Sequence, residues 1–426
     1  MTVPAPFDIH TYYKEGVKQT SGKVGGLDES QEKALKAVWA KLLAHFESTA
    51  DKPIPVEKSM VKLSGLAKDG VSTGDSEAVA KWYADNKDKA SNPKHQLVAD
   101  KLYLDGNREL IVPSQFKPLF GDAADSRTFA NAFWLATMRC HSPDAYVLNF
   151  LRACQWDVNK AFVRLQRSTN QRITQELDRL MWEGDLVQHL KVAEMGMCSQ
   201  IGRDRFGSLV FAVPIRLNFP SARTEADIAK FTAYVLEKVA QLSRTCGEEA
   251  MIVYDFTGYK MENFELGFTK TIISTLQELY PLAFTGTLLY VNSWLFSGAW
   301  KVIRGWLDPV IGCRTQIVKD IESLEIFMDR DQIPISMGGQ SKLEYKYVYP
   351  TKEGNAKMFD TEGRQAAEDE FAKAIAAFVQ ETKGWVDGSG PSSYNADSRA
   401  QAVSAFDKTA GNLEPYIRAQ FLEERA

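Results

Sequence analysis

Two hydrophobic periods divide this chain. In its first half, apolar residues recur at helical spacing; from Ser208 onward, short alternating runs are interleaved with helical ones. Leu35, Val38, Trp39, Leu42, Leu43 and Phe46 share one helical face behind Asp28-Glu29-Ser30-Gln31, which has the form of a helix cap. The polar stretch that follows reads as a linker, and Glu77–Asn86 as a short helix. From about Ser126 the pattern predicts a compact helical region. Ser142-Pro143-Asp144 supplies a capping hydroxyl and a proline at the first helical position, before Val147, Phe150, Leu151 and Cys154. Asp157 caps the next helix, with Val158, Ala161, Phe162 and Leu165 on its apolar side, and a third helix is predicted from Gln175 to Val192.

The period then switches. SLVFAVPIR (208–216), AMIVYDF (250–256), TGTLLYVN (285–292) and TQIVK (315–319) read as strands. Helices are predicted over 224–246, 263–280 and 297–307, and later over 364–385 and 398–422. Strands alternating with helices imply an α/β sheet with crossover connections.

Composition narrows the function classes. At 44% hydrophobic and 25% charged the chain is globular in character, and a net charge of −4 argues against broad nucleic-acid binding. No run approaches the ~20 apolar residues of a membrane span, and MTVPAPFDIHTYYKEG lacks the basic start and apolar core of a signal peptide. The five cysteines (Cys140, Cys154, Cys198, Cys246, Cys313) are scattered and include no CxxC, so neither a zinc site nor a disulfide framework is expected. A cytosolic protein, or one on a cytosolic membrane face, fits this usage.

Catalytic machinery is sparse where a pocket should form. All five histidines precede the strand-rich part, and there is no GxSxG elbow, no GxxxxGK[ST] loop and no GxGxxG after the first strand. No enzyme, cofactor or metal is expected on these grounds. Alternation places Ile252, Tyr254 and Phe256 on one strand face, and Leu288, Tyr290 and Asn292 on one face of the next. These are either core strands under helices or the lining of an apolar cavity. Helix 297–307 is open to the same two readings. Ala299, Trp300, Val302, Ile303, Trp306 and Leu307 cover most of its circumference, which suits burial. With Lys301, Arg304 and a tryptophan turned outward, it also suits a lid between a cavity and a membrane surface.

DAYVLNFLRACQWDVNKAFVRL (144–165) resembles the helical region that precedes CRAL-TRIO domains. GRDRFG (202–207), YDFTG (254–258), YPLAFTGTLLYVNSWLFSGAWKVIRGWLDP (280–309) and IPISMGG (333–339) resemble the CRAL-TRIO lipid-binding domain itself. LDESQEKALKAVWAKLL (27–43) and LEPYIR (413–418) are similar to extensions of fungal phosphatidylinositol-transfer-like members. The resemblance implies a mixed sheet with helices and a gated hydrophobic pocket. It divides the chain into a helical extension with flexible linkers (1–125), the CRAL-TRIO N-terminal helical region (126–193), the lipid-binding domain (194–345) and a C-terminal helical extension (346–426).

On that basis the expected pocket is Phe211, Ile252, Tyr254, Phe256, Leu288, Tyr290, Asn292, Phe296, Trp300, Ile303 and Leu307, with Lys301, Arg304 and Trp306 facing the membrane on a gate, helix 297–307. Family members that transfer phospholipid read FLRARK where this chain has FLRACQ, ending in Cys154 and Gln155. They often carry lysine where it has Gln340, so the candidates left to meet a headgroup phosphate are Lys160, Arg216 and Lys342. The function implied is phosphatidylinositol-type lipid transfer at cytosolic membrane surfaces, to which the protein attaches peripherally. The alternatives are a carrier or sensor of a neutral lipid such as a sterol or isoprenoid, and a lipid-responsive scaffold that binds a protein partner, such as a lipid-metabolic enzyme, through its terminal helices.

Overall fold

The computed structural model describes residues 8–16, 21–50, 52–54, 112–113, 116–121, 127–186, 193, 195–218, 220, 225–244, 249–263, 265–281, 284–291, 296–390, 394 and 396–425; the helix predicted at 77–86 lies outside them. The chain divides into two compact units. One comprises Met1–Gln19, Leu66–Lys101 and Gln188–Val348, and the other Thr20–Gly65, Leu102–Val187 and Tyr349–Ala426.

The first unit is built on a five-stranded sheet in sequence order, β1 (Ser199–Arg203), β2 (Leu209–Pro214), β3 (Ala250–Asp255), β4 (Phe284–Tyr290) and β5 (Thr315–Val318). β1 is antiparallel to β2 and the remaining pairs are parallel. Parallel neighbours need crossovers. These are supplied by α2 (Glu225–Ser243) and α3 (Leu266–Leu279), and by α4 (Phe296–Arg304) with the one-turn α5 (Pro309–Gly312). Because the strand order never reverses, crossovers of one hand fall on one face of the sheet. The predicted strands match in place; β1 was missed, because SQIGR has a glycine and little alternation.

The other face is closed by a helix the sequence patterning did not reveal, α1 (Ile9–Glu15), together with residues from the 321–337 segment. Asp8 caps α1, its Oδ2 accepting from the Thr11 backbone N–H at 2.9 Å. Ile9, Tyr12 and Tyr13 are buried against Val210, Met251, Val253, Leu288, Tyr290, Phe327 and Met328. The Tyr13 hydroxyl donates to Asp204 Oδ2 at 2.5 Å, so this phenol is satisfied in a dry site. Gly286 on β4 lets Ile9 approach, since a Cβ there would overlap the Ile9 Cδ1 methyl.

The second unit is helical. Glu29–Thr49, Phe129–Thr137, Pro143–Ala153, Val158–Thr174, Thr361–Asp387 and Asp397–Ile417 share one core that includes Trp39, Phe133, Trp134, Phe150, Phe371, Phe378 and Phe406. The predicted caps are present. Asp28 and Gln31 form a capping box, Ser142 Oγ accepts from Asp144 N–H, and Asp157 accepts from Asn159 and Lys160 N–H. The helix predicted over 175–192 is interrupted. It runs Leu177–Glu183 and breaks at Gly184, whose φ of 60° is open to glycine and where a Cβ would press on Ala419. Residues 187–192 lie outside the description.

A charged cluster ties the helices together. Arg399 donates to both Asp144 carboxylate oxygens at 2.8 Å and to Thr382 Oγ1 at 2.6 Å, and the Trp39 indole donates to Asp144 at 2.7 Å. The Arg399 guanidinium also lies over the Phe378 and Trp385 rings. The apolar faces of the terminal helices are therefore spent on this core.

Two outcomes follow from this packing. Arg399→Met leaves the Asp144 carboxylate buried without its cation and should lower unfolding free energy in urea by about 3–5 kcal/mol; an unchanged midpoint would show the cluster to be incidental. Gly286→Val should cost about 1–3 kcal/mol by overpacking. Measured in an Ile9→Ala background, the same substitution should cost less, because its clash partner has been removed.

Candidate functional site

The crossover face of the sheet holds a cavity. Its floor is Val213 and Pro214 from β2, Tyr254 and Phe256 from β3 and its end, Thr287 and Leu289 from β4, and Thr315 from β5. One wall is α3, through Thr269, Ile272, Ile273 and Leu276, residues that recur at one helical turn. The other is α4 and the turn after it, through Trp300, Ile303 and Leu307. About 1020 Å³ among these residues is not filled by atoms, part of it open to solvent.

The floor follows from strand register. Val213 pairs with Tyr254, Tyr254 with Leu289, and Leu289 with Ile317, so these side chains project from one face. Phe211 and Ile252 lie on the same face but are fully packed and do not line the cavity. Leu288 and Tyr290, expected in the pocket, project from the opposite face. They are buried with α1, and the Tyr290 hydroxyl donates to the Met337 carbonyl at 3.1 Å. The expectation had the pairing within β4 right and its direction wrong. Register opposes Val253 to Leu288 and Asp255 to Tyr290, which turns Thr287 and Leu289 toward the cavity instead. Asn292 lies outside the described residues; Phe296 begins α4, but its side chain lies outside the description.

α4 is two-sided. Trp300 and Ile303 turn inward, while Lys301 and Arg304 are exposed and Val302 keeps 47% of its surface in water. Trp306, expected on the outer side, is half-buried. The helix ends at Arg304, the chain turns tightly with Gly305 and Trp306 N–H donating to the Val302 and Ile303 carbonyls, and the indole folds back onto the cluster of Phe256 and Ile303. Lys270 Nζ lies 5.9 Å from its ring centroid. At the start of α3, Leu266 is also 42% exposed.

The described lining carries no positive charge. Among the described residues no lysine or arginine lines the cavity, and Glu265 is its one ionisable carboxylate. None of the three expected headgroup cations lines the cavity. Arg216 is half-buried in an ion pair, donating to Asp255 Oδ2 at 2.7 Å. Lys342 is exposed on the segment after Met337, which packs on the far face of the sheet. Lys160 belongs to the helical unit, its side chain 78% exposed and 3.5 Å from Asp157.

The lining asparagines are committed to structure. Asn218 Nδ2 donates to the Asn263 carbonyl, and Asn263 Nδ2 donates back to the Asn218 carbonyl. Burial, reinforced by the Cys198 thiol, pushes the Tyr254 phenol above its ordinary value, so it keeps its proton at neutral pH. Among the described residues no group of histidine, cysteine and carboxylate side chains could hold a metal, and no helix is long and apolar enough to cross a membrane.

Comparison with known proteins agrees with this architecture. The CRAL/TRIO domain model matches residues 193–339, which contain the whole sheet, and the CRAL/TRIO N-terminal domain model matches residues 40–167. The phosphatidylinositol transfer protein CSR1 of Eremothecium gossypii is 26% identical over 94% of this chain and 96% of its own length. The CRAL-TRIO domain-containing protein C3H8.02 of Schizosaccharomyces pombe is 24% identical over 95% of this chain and 91% of its own. The crystal structure of Sfh5 overlaps 68% of this chain and 98% of that one with a TM-score of 0.41 and 14% identity, too loosely to bear on the fold. With both models matched in order, residues 40–167 form a CRAL/TRIO N-terminal domain and residues 193–339 a CRAL/TRIO domain.

Proposed function

We propose that this protein transfers lipid between membranes, with phospholipid of the phosphatidylinositol type as its cargo and α4 as the gate of its pocket. The observation that carries the reading is the two-sided α4, which presents Trp300 and Ile303 to an apolar cavity and Lys301, Val302 and Arg304 to the surroundings. The name of the Eremothecium gossypii relative, similar over nearly the full chain, supports the choice of cargo. Burying a methylene is worth about 0.8 kcal/mol, so a two-chain lipid of about 30 methylenes gains on the order of 20 kcal/mol gross. A lipid crossing water alone gives that up. A pocket that opens only against a bilayer keeps the acyl chains in apolar surroundings throughout, and no covalent chemistry is needed. The reading places the protein in the cytosol, attaching peripherally to intracellular membranes.

A second cargo class has one specific observation in its favour. Among the described residues the cavity lining carries no cation, and Arg216 is bound to Asp255, so none of them neutralises a phosphate within the pocket. A sterol or other neutral lipid would need no such partner. For a phospholipid, the same lining requires the charged headgroup to stay at the mouth.

Two variants test the gate. Trp300→Asp with Ile303→Asp puts unpaired carboxylates under α4, each costly to bury. Transfer of phosphatidylinositol between vesicles should fall at least about tenfold, equivalent to about 1.4 kcal/mol, while the circular-dichroism spectrum is retained; unchanged transfer would remove α4 from the mechanism. Lys301→Glu with Arg304→Glu should weaken binding to anionic vesicles by roughly tenfold or more, at about 1 kcal/mol per basic residue, and leave binding to zwitterionic vesicles nearly unchanged. Equal loss on both vesicle types would show that these charges do not meet the membrane.

A further inference from the structure

Three hydroxyl side chains, of Tyr254, Thr287 and Thr315, interrupt the apolar cavity floor. Tyr254 on β3 and Thr287 on β4 both line it, and Thr287 lies two residues before Leu289, the cross-strand partner of Tyr254, on the same face. Among the described residues neither hydroxyl has a hydrogen-bond partner, whereas the other polar lining groups with nearby acceptors use them: Thr315 Oγ1 donates to the Ile311 carbonyl, Thr269 Oγ1 to the Glu265 carbonyl, and the Asn218 and Asn263 amides to backbone carbonyls. Both residues are half-buried, so each hydroxyl is open to a molecule in the cavity, where valine or phenylalanine would offer it no hydrogen bond.

We infer that Tyr254 and Thr287 form a polar station on the pocket floor that holds an uncharged oxygen function of the bound lipid, an ester carbonyl or an alcohol, and selects such lipids over pure hydrocarbon. The inference rests on the lipid-carrier reading above and refines it by naming what the cargo carries at depth. Among the described residues no cation lines the cavity, so the station suits a neutral oxygen and not a phosphate. The phenol, held protonated by burial, is a donor, and the threonine hydroxyl can donate or accept. Both are specificity-determining groups: they touch cargo but take no part in opening the gate.

The test uses the full chain carrying Tyr254→Phe and Thr287→Val, singly and together. Capture is measured by sedimentation from donor vesicles of phosphatidylcholine doped with phosphatidylinositol, with ergosterol, or with squalene. The double variant should capture phosphatidylinositol or ergosterol roughly three- to tenfold less well than the unaltered protein, the range of one or two neutral hydrogen bonds, and squalene as well as before. Loss confined to the phosphatidylinositol arm assigns the station to an ester carbonyl, and loss confined to the ergosterol arm assigns it to an alcohol. Undiminished capture of both oxygenated lipids overturns the inference while leaving the carrier reading intact. An equal fall in all three arms also overturns it, because the residues then act on pocket shape. An unaltered protein that captures none of the three lipids overturns the carrier reading itself, and the inference with it.

Discussion

A sheet that floors a cavity on one face has to be packed solid on the other, because an underfilled face withholds the dispersion and hydrophobic contacts that hold the strands together. In this protein α1 meets that requirement. Ile9, Tyr12 and Tyr13 sit against Val210, Met251, Val253 and Leu288, and Phe327, Met328 and Ile333 extend the same layer. With one side sealed, the crossover side can leave space between Tyr254, Leu289, α3 and α4. The glycine at 286 belongs to this arrangement, since it lets the sealing helix sit directly on β4.

The distribution of charge follows the same division. Near the cavity Arg216 is paired with Asp255, and the free cations of α4 stand outside. In the proposed function, a container arranged this way would hold acyl chains by desolvation and would meet an anionic surface by Coulomb attraction through α4. The two forces act at different places, so cargo selection inside and membrane attachment outside can be altered separately. The helical unit keeps its own stability in the Asp144–Arg399–Trp39 cluster.

Much of this could be read in the sequence. AMIVYDF, TGTLLYVN and the helices between them announced parallel strands with crossovers, and Trp300, Ile303 and Leu307, with spacing of three and four, fell on the cavity side of α4 and its turn. What alternation cannot give is direction. It grouped Leu288 with Tyr290 correctly, but in a strand buried on both faces either set can point to the cavity, and only pairing with β3 decides. Trp306 falls inward because the helix stops at Arg304 and the chain continues in a tight turn. α1 was invisible because seven residues are too few to display a period, and its role depends on a strand almost three hundred residues away. Arg216 was a reasonable headgroup candidate from its position after β2; its commitment to Asp255 is a tertiary fact. Among the described residues Thr269, Ile272, Ile273 and Leu276 were missed, although their one-turn spacing on α3 was a usable signal.

Native mass spectrometry of the full chain purified from its expressing cells tests the container most directly. One lipid bound per polypeptide, released on organic extraction and identifiable as a phosphoinositide or another membrane lipid, is the predicted result. A bare polypeptide mass, unchanged after incubation with vesicles carrying phosphatidylinositol, sterol and squalene, would contradict the account.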